Sequence, residues 1–176
     1  MASLYYQGHG VKRDLATAVK YFNEAAAKNH PASLANLALM YSSGDGVEKS
    51  TEKSLQYRNK AANLGDLQSQ FLLGQAYRKG SEVAQDYKLA ATWYKKAAVA
   101  GHLSSQNEYG LLFAQGFGVE LDYVQAFAWV SMPAKAGDPQ SIKNRDQLLQ
   151  ILDAAQKSKA IKLAAAYEKQ YGQRLP

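Results

Sequence analysis

Apolar and small side chains return along this chain with a fixed step of 36 residues. Within one period, residues 31–66, Leu34, Leu37 and Tyr41 follow a three-then-four spacing that places them on one face of a helix. A second alanine-containing stretch begins after Ser50 and predicts another helix. Each period therefore predicts two helices joined by a short turn.

Aromatic residues mark the same register in both helices. The first helix carries Tyr5, Tyr41, Tyr77 and Phe113, and the second carries Tyr21, Tyr57, Trp93 and Trp129. A period of this length is typical of a stacked repeat array, in which each helical hairpin buries its apolar face only against its neighbours. We therefore interpret the recurring aromatics as packing residues between helices.

Turn and cap residues keep the same step. Gly44 is placed to end the first helix, and Ser50 stands in register with three aspartates that are suited to cap the second. Ala38 is in register with Gly74 and Gly110, which predicts that a neighbouring helix approaches closely there. These residues are explained by architecture alone.

Three positions depart from the pattern. Glu82 stands where the other repeats have glycine, which predicts a different backbone path in that connection. Pro133 falls inside a second helix and is expected to bend that helix or end it early. Met1 is in register with Leu37, so the first repeat lacks most of its first helix, and five residues are too few for a stable one. We expect natural sequence to lie upstream of Met1.

These observations predict four repeats followed by a closing segment. The repeats are residues 1–30 (truncated), 31–66, 67–102 and 103–138, and residues 139–176 are predicted to form a C-terminal capping helix pair. Asp153 and Gln156 fit a capping box at the start of the last helix.

Composition excludes several classes of protein. The 176 residues contain no cysteine, so disulfides and thiolate metal sites are excluded, and no apolar run is long enough to span a bilayer. The net charge of +6 is not one basic stripe, because residues 67–102 are net positive and residues 103–138 are net negative. We therefore expect no nucleic acid partner and no membrane insertion.

Candidate chemistry is weak. Ser50 and Lys53 match the serine-x-x-lysine pattern of penicillin-recognising enzymes, but the companion elements of those enzymes are missing and capping accounts for Ser50. His30 and His102 lie two repeats apart, too far to share a metal. We predict no catalytic residue, no metal site and no cofactor.

The strings Leu73-Gly74-x-x-Tyr77-x-x-Gly80 and Ala91-Thr92-Trp93-Tyr94-Lys95-Lys96-Ala97-Ala98, with Asp86 between them, resemble the Sel-one-like repeat (SLR), a relative of the tetratricopeptide repeat. The resemblance covers residues 1–138 and implies an all-α, right-handed superhelical solenoid of antiparallel helix pairs. It also implies a non-catalytic adaptor or scaffold that binds a protein or peptide in a concave groove lined by the first helices. Carried over by register, the groove residues are Asn36, Leu39 and Ser43, then Gln68, Phe71, Leu72, Gln75, Arg78 and Lys79, and finally Asn107, Glu108 and Leu111.

Two alternatives stay open. One is a self-associating structural array that stacks through the truncated end at Met1. The other is a β-lactam-binding or β-lactamase-like enzyme, as described for cysteine-rich members of the family, although those members use a disulfide in each repeat that this chain cannot form. The compartment is not determined, and the resemblance to bacterial members favours the periplasm, the envelope or secretion.

Overall fold

The computed structural model describes residues 1–172, and all regular secondary structure within them is α-helical. The helices have the following bounds: α1 Ala2–Gln7, α2 Leu15–Ala26, α3 Pro31–Ser43, α4 Thr51–Asn63, α5 Leu67–Lys79, α6 Tyr87–Val99, α7 Leu103–Gln115, α8 Tyr123–Lys135, α9 Pro139–Ile151 and α10 Ala154–Tyr171. Consecutive helices form hairpins, as the 36-residue step predicts. None of the helices in the described residues is long and apolar enough to cross a membrane.

The chain divides into two compact units, Met1–Leu73 and a second that begins at Gly74. The core of the first unit is built from buried side chains of α2 and α3, namely Ala18, Phe22, Leu37 and Met40. Tyr rings flank this core in stacked pairs, with centroids 5.8 Å apart for Tyr5 and Tyr21 and 5.5 Å apart for Tyr41 and Tyr57. The predicted packing role of these aromatics is confirmed.

The shortened first helix does form, against expectation. Residues Ala2–Gln7 are helical although six residues are too few for a stable helix in isolation. Tertiary packing stabilises them, because Tyr5 stacks on Tyr21 and Tyr6 meets Phe22 edge to face at 6.4 Å. The Tyr6 hydroxyl also donates a hydrogen bond to Asp45 Oδ2 at 3.1 Å.

The core of the second unit lies between α8, α9 and α10. Its buried members include Phe127, Val130, Leu148 and Leu152.

The predicted close approach at the small-residue position is confirmed, since a methyl group built on Gly74 would lie only 2.6 Å from the Tyr94 ring. At Gly110 the same addition would lie 2.7 Å from Val130 Cγ1. Glycine is required there because the neighbouring side chain fills the space of a Cβ atom.

The second helix of each repeat begins at the predicted cap. The side chains of Asp14, Ser50, Asp86 and Asp122 accept hydrogen bonds from backbone N–H groups two or three residues further along. The first helices end at glycines such as Gly44, whose φ of 88° is in the left-handed region. In α10 the predicted capping box of Asp153 and Gln156 is present.

Of the two outcomes expected for Pro133, a bend or an early end of the helix, the early end does not occur in α8. The helix has 13 residues, as α4 and α6 do, and continues to Lys135. The Pro133 carbonyl accepts the Asp138 N–H at 3.0 Å, as the Ala61 carbonyl accepts the Asp66 N–H. Pro133 lies in the last turn and its ring is buried, so the lost hydrogen bond does not prevent the helix from finishing as its counterparts do.

The connection that contains Glu82 keeps the same end points as the other connections. Asp86 N–H donates to the Tyr77 carbonyl at 2.9 Å, matching the bond from Ser50 to Tyr41. Gly46 and Gly118 have φ of 70° and 71°, whereas Glu82 is not among the described residues with positive φ. The backbone at Glu82 therefore differs from that of its glycine counterparts, while the hydrogen bond that closes the connection is kept.

Candidate functional site

The predicted groove residues are distributed over both compact units, on α3, α5 and α7. On α3 of the first unit, Leu39 is 53% exposed and Ser43 is exposed, whereas Asn36 is half-buried. The amide of Asn36 already donates to the Ala32 carbonyl at 2.7 Å, and the Ser43 hydroxyl donates to Asp45 Oδ2 at 2.8 Å. Local hydrogen bonds thus hold the polar members of this set.

The part of α5 in the first unit holds three more of the predicted residues. Gln68 is exposed, while Phe71 and Leu72 are half-buried. Their spacing along the helix places Gln68 and Leu72 on one side, four residues apart. This part of the set combines an exposed amide with apolar surface.

The remaining predicted residues that are not buried lie on α5 and α7 of the second unit, and we call this set the α5–α7 face. Gln75, Arg78 and Lys79 lie on α5 at helical spacing, and Glu108 and Leu111 lie on α7. Arg78 Nε and Glu108 Oε2 are 3.5 Å apart, with side chains 34% and 22% exposed. An ion pair of this length joins the two helices without making a strong hydrogen bond.

Tyr94 of α6 lies beneath this ion pair and is fully buried. Burial and, to a smaller extent, the Glu108 charge raise the pKa of the Tyr94 phenol to about 12, although interaction with Arg78 opposes both effects. Burial by itself lowers the pKa of Arg78, but its interaction with Tyr94 and the Glu108 charge raise that pKa overall. Arg78 therefore stays charged, held from below by a neutral phenol and from the side by a carboxylate.

Asn107 is a correction to the predicted groove. It is only 8% exposed, and its Oδ1 accepts hydrogen bonds from Ser141 Oγ at 3.0 Å and from Asn144 Nδ2 at 2.9 Å. Both donors lie on α9, which packs over this position. Asn107 thus joins two helices inside the second unit instead of facing a partner.

The serine-x-x-lysine pair is accounted for by packing. Ser50 Oγ accepts the Lys53 N–H at 3.2 Å as a helix cap, and Lys53 Nζ lies 5.2 Å from the centroid of the Tyr41 ring. Such an arrangement is a cation–π contact beside a cap. In residues 1–172 no group of three or more His, Asp or Glu side chains is placed to hold a metal ion.

Sequence reasoning missed the caps of the first helices. His30, Asp66, His102 and Asp138 each accept a hydrogen bond from the backbone N–H of the serine three residues later. Those serines, at positions 33, 69, 105 and 141, are buried. The signal was present in the sequence as His/Asp-x-x-Ser at the 36-residue step, and it assigns both turn histidines a structural role.

Comparison with known proteins agrees with this architecture. The family model described as "Sel1 repeat" matches residues 1–30, 31–66, 67–102 and 103–138. No curated protein matches the chain.

Three solved structures of bacterial proteins are similar to this chain. A protective antigen present in uropathogenic Escherichia coli strains, displaying an SLR fold, is 32% identical with a TM-score of 0.83 over 97% of this chain and 37% of its own. A Sel1 repeat protein from Oxalobacter formigenes is 33% identical with a TM-score of 0.80 over 86% of this chain and 43% of its own. Cysteine-rich protein B of Helicobacter pylori is 26% identical with a TM-score of 0.57 over 77% of this chain and 98% of its own. The matched part of the chain thus covers less than half the length of each of the first two.

Proposed function

The chain belongs to the Sel1 repeat family, whose members are in general protein–protein interaction scaffolds, and from this premise we propose that it is a non-catalytic adaptor that binds a peptide or partner protein on the first helices of its repeats. We further propose that residues 139–176 close the repeat array, with 1–138 as the four repeats. The α5–α7 face of the second unit is the part of the predicted groove that we assign to partner contact.

The observation that supports this assignment is the half-exposed Arg78–Glu108 pair on neighbouring helices. A guanidinium has five N–H donors in a planar fork, and a carboxylate 3.5 Å from Nε is a weak competitor for them. A partner carboxylate or backbone carbonyl can therefore bind Arg78, while Glu108 can accept an N–H from the same partner. Arginine held in this way is typical of residues that dominate binding energy.

Apolar and polar neighbours complete the surface. Leu111 is half-buried, Gln75 offers an amide, and Lys79 is exposed at the end of α5. Amides can hold the backbone of an extended peptide, and the leucine can contact one apolar side chain. This chemistry favours a peptide segment with at least one carboxylate next to an apolar residue.

Selection of peptides by phage display on the intact protein, followed by affinity measurement, tests the proposal. The informative variant, Arg78→Glu with Glu108→Arg, exchanges the two charges. It keeps the net charge of the protein and moves the positive charge from α5 to α7. The matched control exchanges the exposed pair on α9, Arg145→Asp with Asp146→Arg. We expect the first exchange to weaken binding of selected peptides by roughly tenfold or more, and the control to leave it unchanged.

Equal affinity of the selected peptides for all three proteins would refute the assignment to the α5–α7 face. Circular dichroism of each variant establishes that the helices are retained. If the first exchange unfolds the chain, Lys79→Glu on the exposed end of α5 replaces it with the same expected direction.

A further inference from the structure

A cleft in the first unit, the α2–α4 cleft, is lined mainly by residues of α2 and α4, and none of its lining residues belongs to the predicted groove. It has a volume of about 510 Å³ and is lined by Asn23, Asn29, Leu34, Tyr57, Lys60 and Asn63, among others. The Tyr57 hydroxyl donates to Asn23 Oδ1 at 3.4 Å, which holds the phenol at the cleft wall. Asn29, Lys60 and Asn63 are exposed. The cleft therefore combines one aromatic ring with several hydrogen-bond donors.

Asn29 has a backbone conformation that singles it out. Its φ is 57°, and it is the only non-glycine residue with positive φ in the described part of the chain. The positions in register with it are Gly65, Gly101 and Gly137, with φ of 91°, 89° and 92°. Asparagine is the non-glycine residue that adopts this conformation most readily at the end of a helix, so Asn29 fits the turn that glycine makes in the other repeats. In the first unit this position therefore adds an amide side chain to the cleft.

The second unit shows what covers the equivalent place. The counterparts of Leu34, Tyr57 and Asn63, 72 residues further on, are Gln106, Trp129 and Lys135. The C-terminal end of α10 contacts each of these three residues. Tyr171 stacks on Trp129 with centroids 5.3 Å apart and planes at 16°, and Gln106 Nε2 donates to the Tyr171 carbonyl at 3.2 Å. Glu168, one turn before Tyr171, pairs with Lys135.

We propose that the α2–α4 cleft binds the C-terminal end of a partner helix that carries an aromatic residue in its last turn and a carboxylate one turn earlier. The aromatic ring stacks on Tyr57 as Tyr171 stacks on Trp129. The carboxylate pairs with Lys60, which lies one turn before the position equivalent to Lys135. This interaction is separate from the one assigned to the α5–α7 face.

The donors of the cleft match what the end of a helix needs. The last turn of a helix has unsatisfied carbonyl groups and the negative end of the helix dipole. The amide groups of Asn29 and Asn63 can donate to those carbonyls, as Gln106 donates to the Tyr171 carbonyl. Lys60 Nζ lies 5.9 Å from the Tyr57 ring centroid, so its positive charge is held at the same wall.

The probe is a fluorescein-labelled peptide with the sequence of residues 154–172, because this helix carries the required Glu168 and Tyr171. Its binding to the intact protein is followed by fluorescence anisotropy. We expect Lys60→Glu to weaken binding roughly tenfold and Asn29→Gly severalfold, while the matched control Lys96→Glu, at the equivalent position of the next repeat, leaves it unchanged. Asn29→Gly keeps the fold, because glycine is the residue of the other three repeats. Peptides with Tyr171→Ala or Glu168→Lys are expected to bind at least roughly tenfold more weakly.

NMR resonances of the side-chain amides and of the tryptophan indoles show where the peptide binds. Shifts of the Asn29 and Asn63 amides with an unchanged Trp129 indole support the proposal. A shifted Trp129 indole means that the peptide displaces the chain's own α10, and that result overturns it. The proposal also fails if the peptide does not bind at about 1 mM protein or if Lys60→Glu binds as well as Lys96→Glu.

Discussion

Replacing Gly74 by alanine tests the close contact between α5 and α6. The added Cβ atom would lie 2.6 Å from Cδ1 and Cε1 of Tyr94 and 3.0 Å from Cγ. Carbon atoms normally pack at about 3.5–4.0 Å, so the ring or the helix must move by roughly 1 Å. The Tyr94 ring is fully buried, and therefore has no free space into which to move.

Two effects of opposite sign determine how much Gly74→Ala changes the free energy of unfolding. Alanine is favoured over glycine inside a helix by about 1 kcal/mol. Overpacking a well-filled core costs about 1–3 kcal/mol, and the rigid ring places this contact at the upper end. We expect Gly74→Ala to lower the free energy of unfolding by about 1–2 kcal/mol.

Urea unfolding followed by tryptophan fluorescence measures this change in the second unit, which contains Gly74. Trp93 and Trp129 are the two tryptophans of the sequence, and both lie in the second unit. The expected result is a lower midpoint with an unchanged slope. In a Tyr94→Ala background the clash is absent, so the same substitution should stabilise the protein by several tenths of a kcal/mol. Stabilisation by Gly74→Ala in the natural background, or equal destabilisation in both, would refute the reasoning.

Substitutions at three further positions test other features. The pKa of Tyr94 is raised from 10.0 to about 12, so between these pH values the folded state keeps a proton that the unfolded state loses. The stabilising effect of Tyr94 is therefore complete below pH 10 and is lost as the pH rises toward 12. Tyr94→Phe should reduce this alkaline fall in the free energy of unfolding by about 2 kcal/mol in urea titrations, and an unchanged pH profile would contradict the raised pKa of Tyr94. Ser50→Ala should cost about 1 kcal/mol in thermal unfolding and Ser50→Asp should not, because aspartate caps the other three helices; equal loss from both would argue against a capping role. Asn107→Ala should cost about 1–3 kcal/mol because it removes the acceptor shared by Ser141 and Asn144, and a neutral result in urea unfolding would show that water replaces it.

Most of the fold follows from local physical rules that the repeat applies several times. Aspartate or serine caps each second helix, and glycine ends a first helix or admits a neighbouring ring, as at Gly44 and Gly74. These are properties of a few adjacent residues, and recurrence at a step of 36 makes each of them recognisable. For Pro133 the sequence left a bend or an early end of α8 open, and α8 does not end early because Pro133 lies so near the helix terminus that only the last turn depends on it.

The candidate site was less accessible from the sequence. Register placed Arg78, Glu108 and Asn107 on the same set of first helices, but it did not distinguish their environments. In the structure Arg78 and Glu108 pair at 3.5 Å with half-exposed side chains, whereas Asn107 is buried under α9. The difference depends on residues more than 30 positions away along the chain, such as Ser141 and Asn144.

The sequence by itself therefore determined the helices, the caps of the second helices, the repeat and the family, because these depend on short-range hydrogen bonds and on the spacing of apolar side chains. Only the tertiary structure decided which equivalent positions stay open. Trp129 is covered by Tyr171 of α10, whereas Tyr57, at the same register position two repeats earlier, lines an open cleft. Burial is a property of the neighbours that a side chain meets in space, and identical register positions meet different neighbours at different points along the chain.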